Sequence, residues 1–205
     1  HFDHGLTDTK ILEALKLGFS SIMYDCSTDS YDVNVKKVSD MVKIAKLFGA
    51  TVEAELGHVG ANDADAAESG GSHDNSIYTE PEQARDFVEK TNVDALAVAI
   101  GTAHGAYKEK PKLDIERLKE IAKIVSVPLV LHGGSGLSDE DFRNCVENGI
   151  SKVNIFTDIN CAQVKSVVDN YKEGLGMTDV MCQSSEAVKL ATMKKMTIFG
   201  SVGKA

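Results

Sequence analysis

Five short apolar runs separated by amphipathic helical patterns, in units of roughly 30 residues, constrain this chain more than any other feature. The runs are SSIMYDC (20–26), ATVEAELG (50–57), DALAVAIG (94–101), VPLVLHG (127–133) and SKVNIFT (151–157). Most lack clean apolar–polar alternation, as expected of strands covered on both faces. Between them, TDTKILEALKLG places Ile11, Leu12 and Leu15 on one helical face and stops at Gly18. VNVKKVSDMVKIAKLFG stops at Gly49, PEQARDFVEKT opens on Pro81, and LDIERLKEIAKIV precedes the 127 run. In SDEDFRNCVENG, Ser138 and Asp141 have the spacing of a capping box, and Gly149 closes the pattern. With right-handed crossovers, such units build a parallel sheet.

Residues 1–4 read as the end of one more strand. A closed (β/α)8 barrel takes about 250 residues. The 205 residues here fall short of that. The expected fold is therefore α/β, a TIM (β/α)8 barrel that is N-terminally incomplete, running from the end of strand 3 to strand 8. The whole of 1–205 is expected to form one barrel domain. One stretch breaks the rhythm: GHVGANDADAAESGGSHDNSIYTEPE (57–82) is polar, glycine-rich and aperiodic. Long inserts of that kind inside a compact domain tend to be functional loops, so 57–82 is expected to be a mobile active-site loop.

A net charge of −9 disfavours nucleic acid and anionic membranes as partners. No run approaches the length of apolar sequence that spans a bilayer, and no signal peptide precedes the first strand end. The four cysteines form no CxxC pair and read as reduced thiols. Together these point to a cytoplasmic protein.

Polar groups gather where the strands end. HFDHG ends in Asp3 and His4, IMYDCS in Asp25 and Ser27, and VEAELG carries Glu53 and Glu55. AVAIGTAHGAYK supplies His104, Gly105 and Lys108; LVLHGGSG supplies His132, Gly133, Gly134 and Ser135; VNIFTD supplies Asn154, Thr157 and Asp158. Chemistry in parallel α/β folds collects at the carboxyl ends of strands. A lone histidine at such a place is more often structural, but His4, His104 and His132 converging on one rim fit Zn²⁺ with a fourth position open. The glycines of HGGSG let backbone approach a ligand, and Thr157 and Asp158 begin a helix whose N–H groups suit a phosphate.

These stretches, in this order, resemble the class II, zinc-dependent ketose-bisphosphate aldolases, the enzymes of fructose 1,6-bisphosphate and tagatose 1,6-bisphosphate. The resemblance covers most of residues 1–158 and is loose over 159–205. It implies reversible aldol cleavage to dihydroxyacetone phosphate and glyceraldehyde 3-phosphate through a zinc-stabilised enediolate. HGGSG is closer to the fructose pattern; tagatose 1,6-bisphosphate is the alternative substrate, and a noncatalytic barrel fragment the alternative of another class. The resemblance further implies His4, His104 and His132 as zinc ligands, Glu55 as a carboxylate near the metal, and Asp25 near a further cation. It makes Asp3 the acid–base at the substrate C4 hydroxyl. Gly105, Gly133 and Ser135 would bind a phosphate, with a monovalent cation (Na⁺ or K⁺) beside them, and Asn154 and Thr157 would hold substrate. A loop carboxylate, Asp63, would move the second proton, and a homodimer or homotetramer is implied.

Two residues bear on specificity and mechanism. Phe156 stands where the family has smaller or polar residues. Lys152, at the start of its strand, reads as facing away from the site, and Lys108 as better placed for phosphate. A Schiff-base lysine at a strand end, which the other aldolase chemistry needs, is therefore not expected.

Overall fold

A computed structural model of the protein describes residues 1–59, 78–103 and 111–204. Strands and helices alternate as β1 (Phe2–Gly5), α1 (Asp8–Lys16), β2 (Ser21–Tyr24), α2 (Tyr31–Leu47), β3 (Thr51–Leu56) and α3 (Pro81–Thr91). They continue as β4 (Ala95–Val98), α4 (Ile115–Ile124), β5 (Leu129–Leu131), α5 (Asp139–Glu147) and β6 (Ile150–Val153). Helices α6 (Thr157–Asn170) and α7 (Met177–Ile198) follow. The six strands pair in parallel, in chain order, and form the half-barrel of an incomplete TIM fold.

Local chemistry sets the element ends. The Thr7 hydroxyl accepts the Lys10 N–H at the start of α1. At α5 the capping box is complete: Asp141 N–H donates to Ser138 Oγ, and Ser138 N–H donates to Asp141 Oδ2. A cap of this kind stabilises a helix by about 0.5–2 kcal/mol. Helix α3 ends on Asn92 in the left-handed region, φ 54°.

The strands sort their side chains by parity. Ile22, Tyr24, Val52, Ala54, Leu56, Leu96, Val98, Leu129, Leu131 and Ile150 join the core under the helices. Registered neighbours share a face, so Met23, Glu53 and Ala95 lie together on the other side, as do Glu55 with Ala97 and Val130 with Lys152. The outer core closes over Phe87 and Phe142, both fully buried, each burial contributing about 1.5–3 kcal/mol. Phe142 also meets Phe199 just beyond α7, ring centroids 4.9 Å apart, which docks the final helix pair onto α5.

Thr79 stitches the returning chain between β3 and β4. Its hydroxyl donates to Leu56 O and accepts the Ala99 N–H at 2.8 Å, while its own N–H donates to Ala99 O at 3.0 Å. Most of the loop expected over 57–82 lies outside the described residues.

Candidate active site

At the carboxyl ends of β1, β5 and β6 a cavity of about 590 Å³ is lined by His1, Asp3, His4, the Gly133–Ser135 turn and residues 153–157. The backbone at each wall is shaped for this. A register irregularity interrupts β1 between Phe2 and Gly5, and His4 adopts φ 46°. A non-glycine residue rarely holds that conformation, and such strain concentrates at functional sites. Gly133 takes φ 65° after β5, and a Cβ there would lie 2.6 Å from the Ala103 carbonyl. At Gly134 a Cβ would meet the Phe142 ring at 2.9 Å.

Two imidazoles face each other across the floor. His4 Nε2 and His132 Nδ1 are 3.0 Å apart. Behind them, His4 Nδ1 sits 2.8 Å from Asp25 Oδ2, and His132 Nε2 sits 2.8 Å from Glu53 Oε1. Anionic carboxylates accept, so the outer nitrogens carry protons, while the inner nitrogens lie at a distance that one shared proton or one cation between them satisfies. The Glu55 carboxylate, 1% exposed, comes within 3.7 Å of His132 Nδ1. Its Oε2 has no hydrogen-bond partner among the described residues.

Asp3 is half exposed at the mouth, and Asn154 Nδ2 donates to its Oδ1 at 2.8 Å. The same amide nitrogen stands 3.1 Å from His132 Nε2. Ser135 Oγ accepts the Asp158 N–H at the start of α6, at 3.3 Å.

Charges across this rim shift its acids and bases. His4 is raised above the usual imidazole range, chiefly by its hydrogen bond to Asp25, with burial opposing. Burial would push Asp25 up, but the His4 bond and two bonds from Ser27 outweigh it and hold the carboxyl well below its ordinary range. Glu55 is pushed up to about 7, first by burial and then by the Asp25 charge, with the Val59 N–H working against both.

Asp3, His4, Asp25, Glu55, His132, Gly133, Gly134, Ser135, Asn154 and Thr157 thus stand at one end of the sheet, as anticipated from the strand ends. Asp63, His104, Gly105 and Lys108 lie outside the described residues. Asp158 opens α6 with its N–H toward the turn, while Lys195 of α7 takes its carboxylate at 2.6 Å. Lys152 differs from expectation. It faces into the half-barrel, where Nζ donates to Glu53 Oε2 at 2.6 Å. Strand parity could have signalled this, because Lys152 is two residues before Asn154. Phe156 is 74% exposed and lines the cavity. Among the described residues, no helix is long and apolar enough to cross a membrane.

Residues 1–204 match the family model described as fructose-bisphosphate aldolase class-II. The chain is 40% identical over 205 residues to the uncharacterized protein YdjI of Escherichia coli K12, covering all of this chain and 72% of that one. It is 37% identical over 208 residues to a fructose-bisphosphate aldolase of Staphylococcus aureus, covering all of this chain and 71% of the relative. The crystal structure of the E. coli YdjI aldolase superposes with a TM-score of 0.85 at 37% identity, over 98% of this chain and 69% of that one.

Proposed function

Because the chain belongs to the class II fructose-bisphosphate aldolase family, lyases that are typically metal-dependent, we propose that it cleaves a ketose 1,6-bisphosphate. Fructose 1,6-bisphosphate is the favoured substrate, and dihydroxyacetone phosphate and glyceraldehyde 3-phosphate are the products. The observation that carries the reading is the pair of imidazole nitrogens 3.0 Å apart, each backed by a carboxylate, beside Asp3.

The residues fit a divalent ion. Two lone pairs at that separation repel unless a cation or proton lies between them. Nitrogens about 2.0–2.1 Å from one tetrahedral Zn²⁺ would be about 3.3 Å apart, close to what the imidazoles have. The Glu55 oxygen that has no hydrogen-bond partner among the described residues adds a carboxylate donor beside them. His4 and His132 would hold the ion, with His104 as the third imidazole by its sequence position and Asp25 and Glu55 close by. Bound there, zinc supplies Lewis acidity toward a carbonyl oxygen.

The chain's own groups do the rest. Asp3 takes the proton from the hydroxyl next to the breaking carbon–carbon bond, and Asn154 aims its carboxylate. Gly133, Gly134 and Ser135 offer a phosphate close backbone approach, next to the N–H groups that open α6 at Thr157 and Asp158. Gly105, Lys108 and a monovalent cation (Na⁺ or K⁺) complete the phosphate site in this reading. Asp63 carries the second proton, and the enzyme works in the cytoplasm as a dimer or tetramer.

A second reading is favoured by Phe156. The described cavity lining contains no lysine or arginine, and this exposed aromatic ring stands on its wall. That suits a phosphorylated ketose whose aldehyde half carries no phosphate. Product analysis of the full-length chain with fructose and tagatose 1,6-bisphosphates and with a ketose 1-phosphate, each with and without zinc, decides among them. Metal-independent cleavage, or none with any ketose phosphate, would overturn the proposal.

A further inference from the structure

We infer that Lys152 and Glu53 form a positioning pair that selects the tautomer of His132 and thereby sets how tightly the strand-end site holds a metal. The inference rests on the metal-site reading above and concerns residues that touch neither substrate nor metal.

Glu53 is 3% exposed, and both its oxygens are engaged. Oε1 meets His132 Nε2 at 2.8 Å, and Oε2 accepts from Lys152 Nζ at 2.6 Å. The His1 ring is a more distant neighbour, 3.8 Å from Oε2. The bridge runs across the concave face from β3 to β6, over two intervening strands. The inward positions registered with these residues are Ala95 beside Glu53 and Val130 beside Lys152, small enough to let the two long side chains meet.

Among the described residues, His132 Nε2 meets two partners with opposite demands. The Glu53 carboxylate accepts, so it requires a proton on Nε2 and leaves the Nδ1 lone pair facing His4. The Asn154 amide nitrogen, 3.1 Å away, donates, so it requires the proton on Nδ1 and would abolish that lone pair. A buried carboxylate stripped of its cationic partner is left with an uncompensated charge, which is costly. Lys152 Nζ, 2.6 Å from Oε2, supplies the counter-charge on the side of Glu53 away from the imidazole. The charge pair therefore decides the competition in favour of the metal-binding tautomer, while Asn154 gives its hydrogen to Asp3. Carboxylate partners of this kind orient metal-ligating histidines widely, and their loss weakens metal binding about 10–100-fold.

The test uses the full-length chain, stripped of metal by a chelator. Zn²⁺ affinity is read by competition with a chromophoric chelator, and site geometry by the visible spectrum of the Co²⁺ form. The His132 tautomer is read in the metal-free protein by ¹⁵N correlation spectra. Lys152→Met should weaken Zn²⁺ binding about 10–100-fold and move His132 toward the Nδ1–H form. Lys152→Arg should recover most of the affinity and the original tautomer. Lys152→Gln, which keeps a hydrogen bond to Glu53 without the charge, should resemble Met and serves if Met does not fold. Wild-type affinity and an unchanged tautomer in the Met or Gln variant would overturn the inference. If the wild type takes up no metal, the site reading fails instead, and the tautomer spectra still judge the pair.

Discussion

His4 Nε2 and His132 Nδ1 lie 3.0 Å apart although 128 residues separate them, and each ring rests its other nitrogen on a buried or half-buried carboxylate. The arrangement predicts that the two rings act as one unit. His4→Ala and His132→Ala should each remove most of the bound zinc. Asp25→Asn should leave the ion in place at saturating metal but weaken it about 10–100-fold. Metal analysis after gel filtration, with chelator titration for the Asn variant, measures both. Full zinc content in both alanine variants would exclude the site.

Asp3 separates chemistry from binding. Asp3→Asn should retain zinc and lower turnover by about 10²–10⁴-fold, the usual contribution of a general acid–base group. Asn154→Ala should lower turnover less, because it leaves the carboxylate present but unaimed. Stopped assays of aldol cleavage with parallel metal analysis check this. Near-normal turnover in Asp3→Asn would send the proton elsewhere.

Gly133 is committed sterically as well as chemically. Gly133→Ala must place a Cβ against the Ala103 carbonyl at φ 65°. It should destabilise the fold by about 1–3 kcal/mol and weaken phosphate-bearing ligands more than metal. Thermal unfolding and inorganic phosphate titration read the two effects separately.

Thr79 tests the stitching of β3 to β4. Thr79→Val preserves shape but removes the hydroxyl that serves both Leu56 O and Ala99 N–H in a fully buried setting. Leaving those groups unpaired should cost about 1–3 kcal/mol. Urea unfolding midpoints at constant slope give the value, and a change near zero would show that the neighbours repair the loss.

The thiols predict a pH response. Burial raises Cys26 to about 11 and Cys145 to about 12, whereas Cys161 and Cys182 are exposed. At pH 8 the latter two should react with a chromogenic disulfide in the folded chain, and the former two only on unfolding. Above about pH 9 the unfolded chain gives up thiol protons that the folded chain keeps, so these two cysteines make stability fall as pH rises toward 11. Four fast-reacting thiols at pH 8 would contradict the buried placement.

What the sequence determined by itself is everything carried by neighbours along the chain. Helix faces repeat every few residues, and Ser138 and Asp141 lie within one turn. Strand parity spans two positions, so element order, parallel fold class and the gathering of Asp3, His4, Asp25, Glu55 and His132 at strand ends were legible. Tertiary structure alone decided contacts between residues far apart in sequence whose meeting depends on sheet curvature. Lys152 and Glu53 are 99 residues apart; strand parity could give the face of that lysine, but its partner across the concave side follows only from the curvature of the sheet. The same holds for Asp158, whose charge is drawn off by Lys195 of a helix that the strand pattern could not place. The left-handed backbone of His4 is likewise set by the interrupted pairing of β1 with β2, since a histidine in isolation disfavours that conformation.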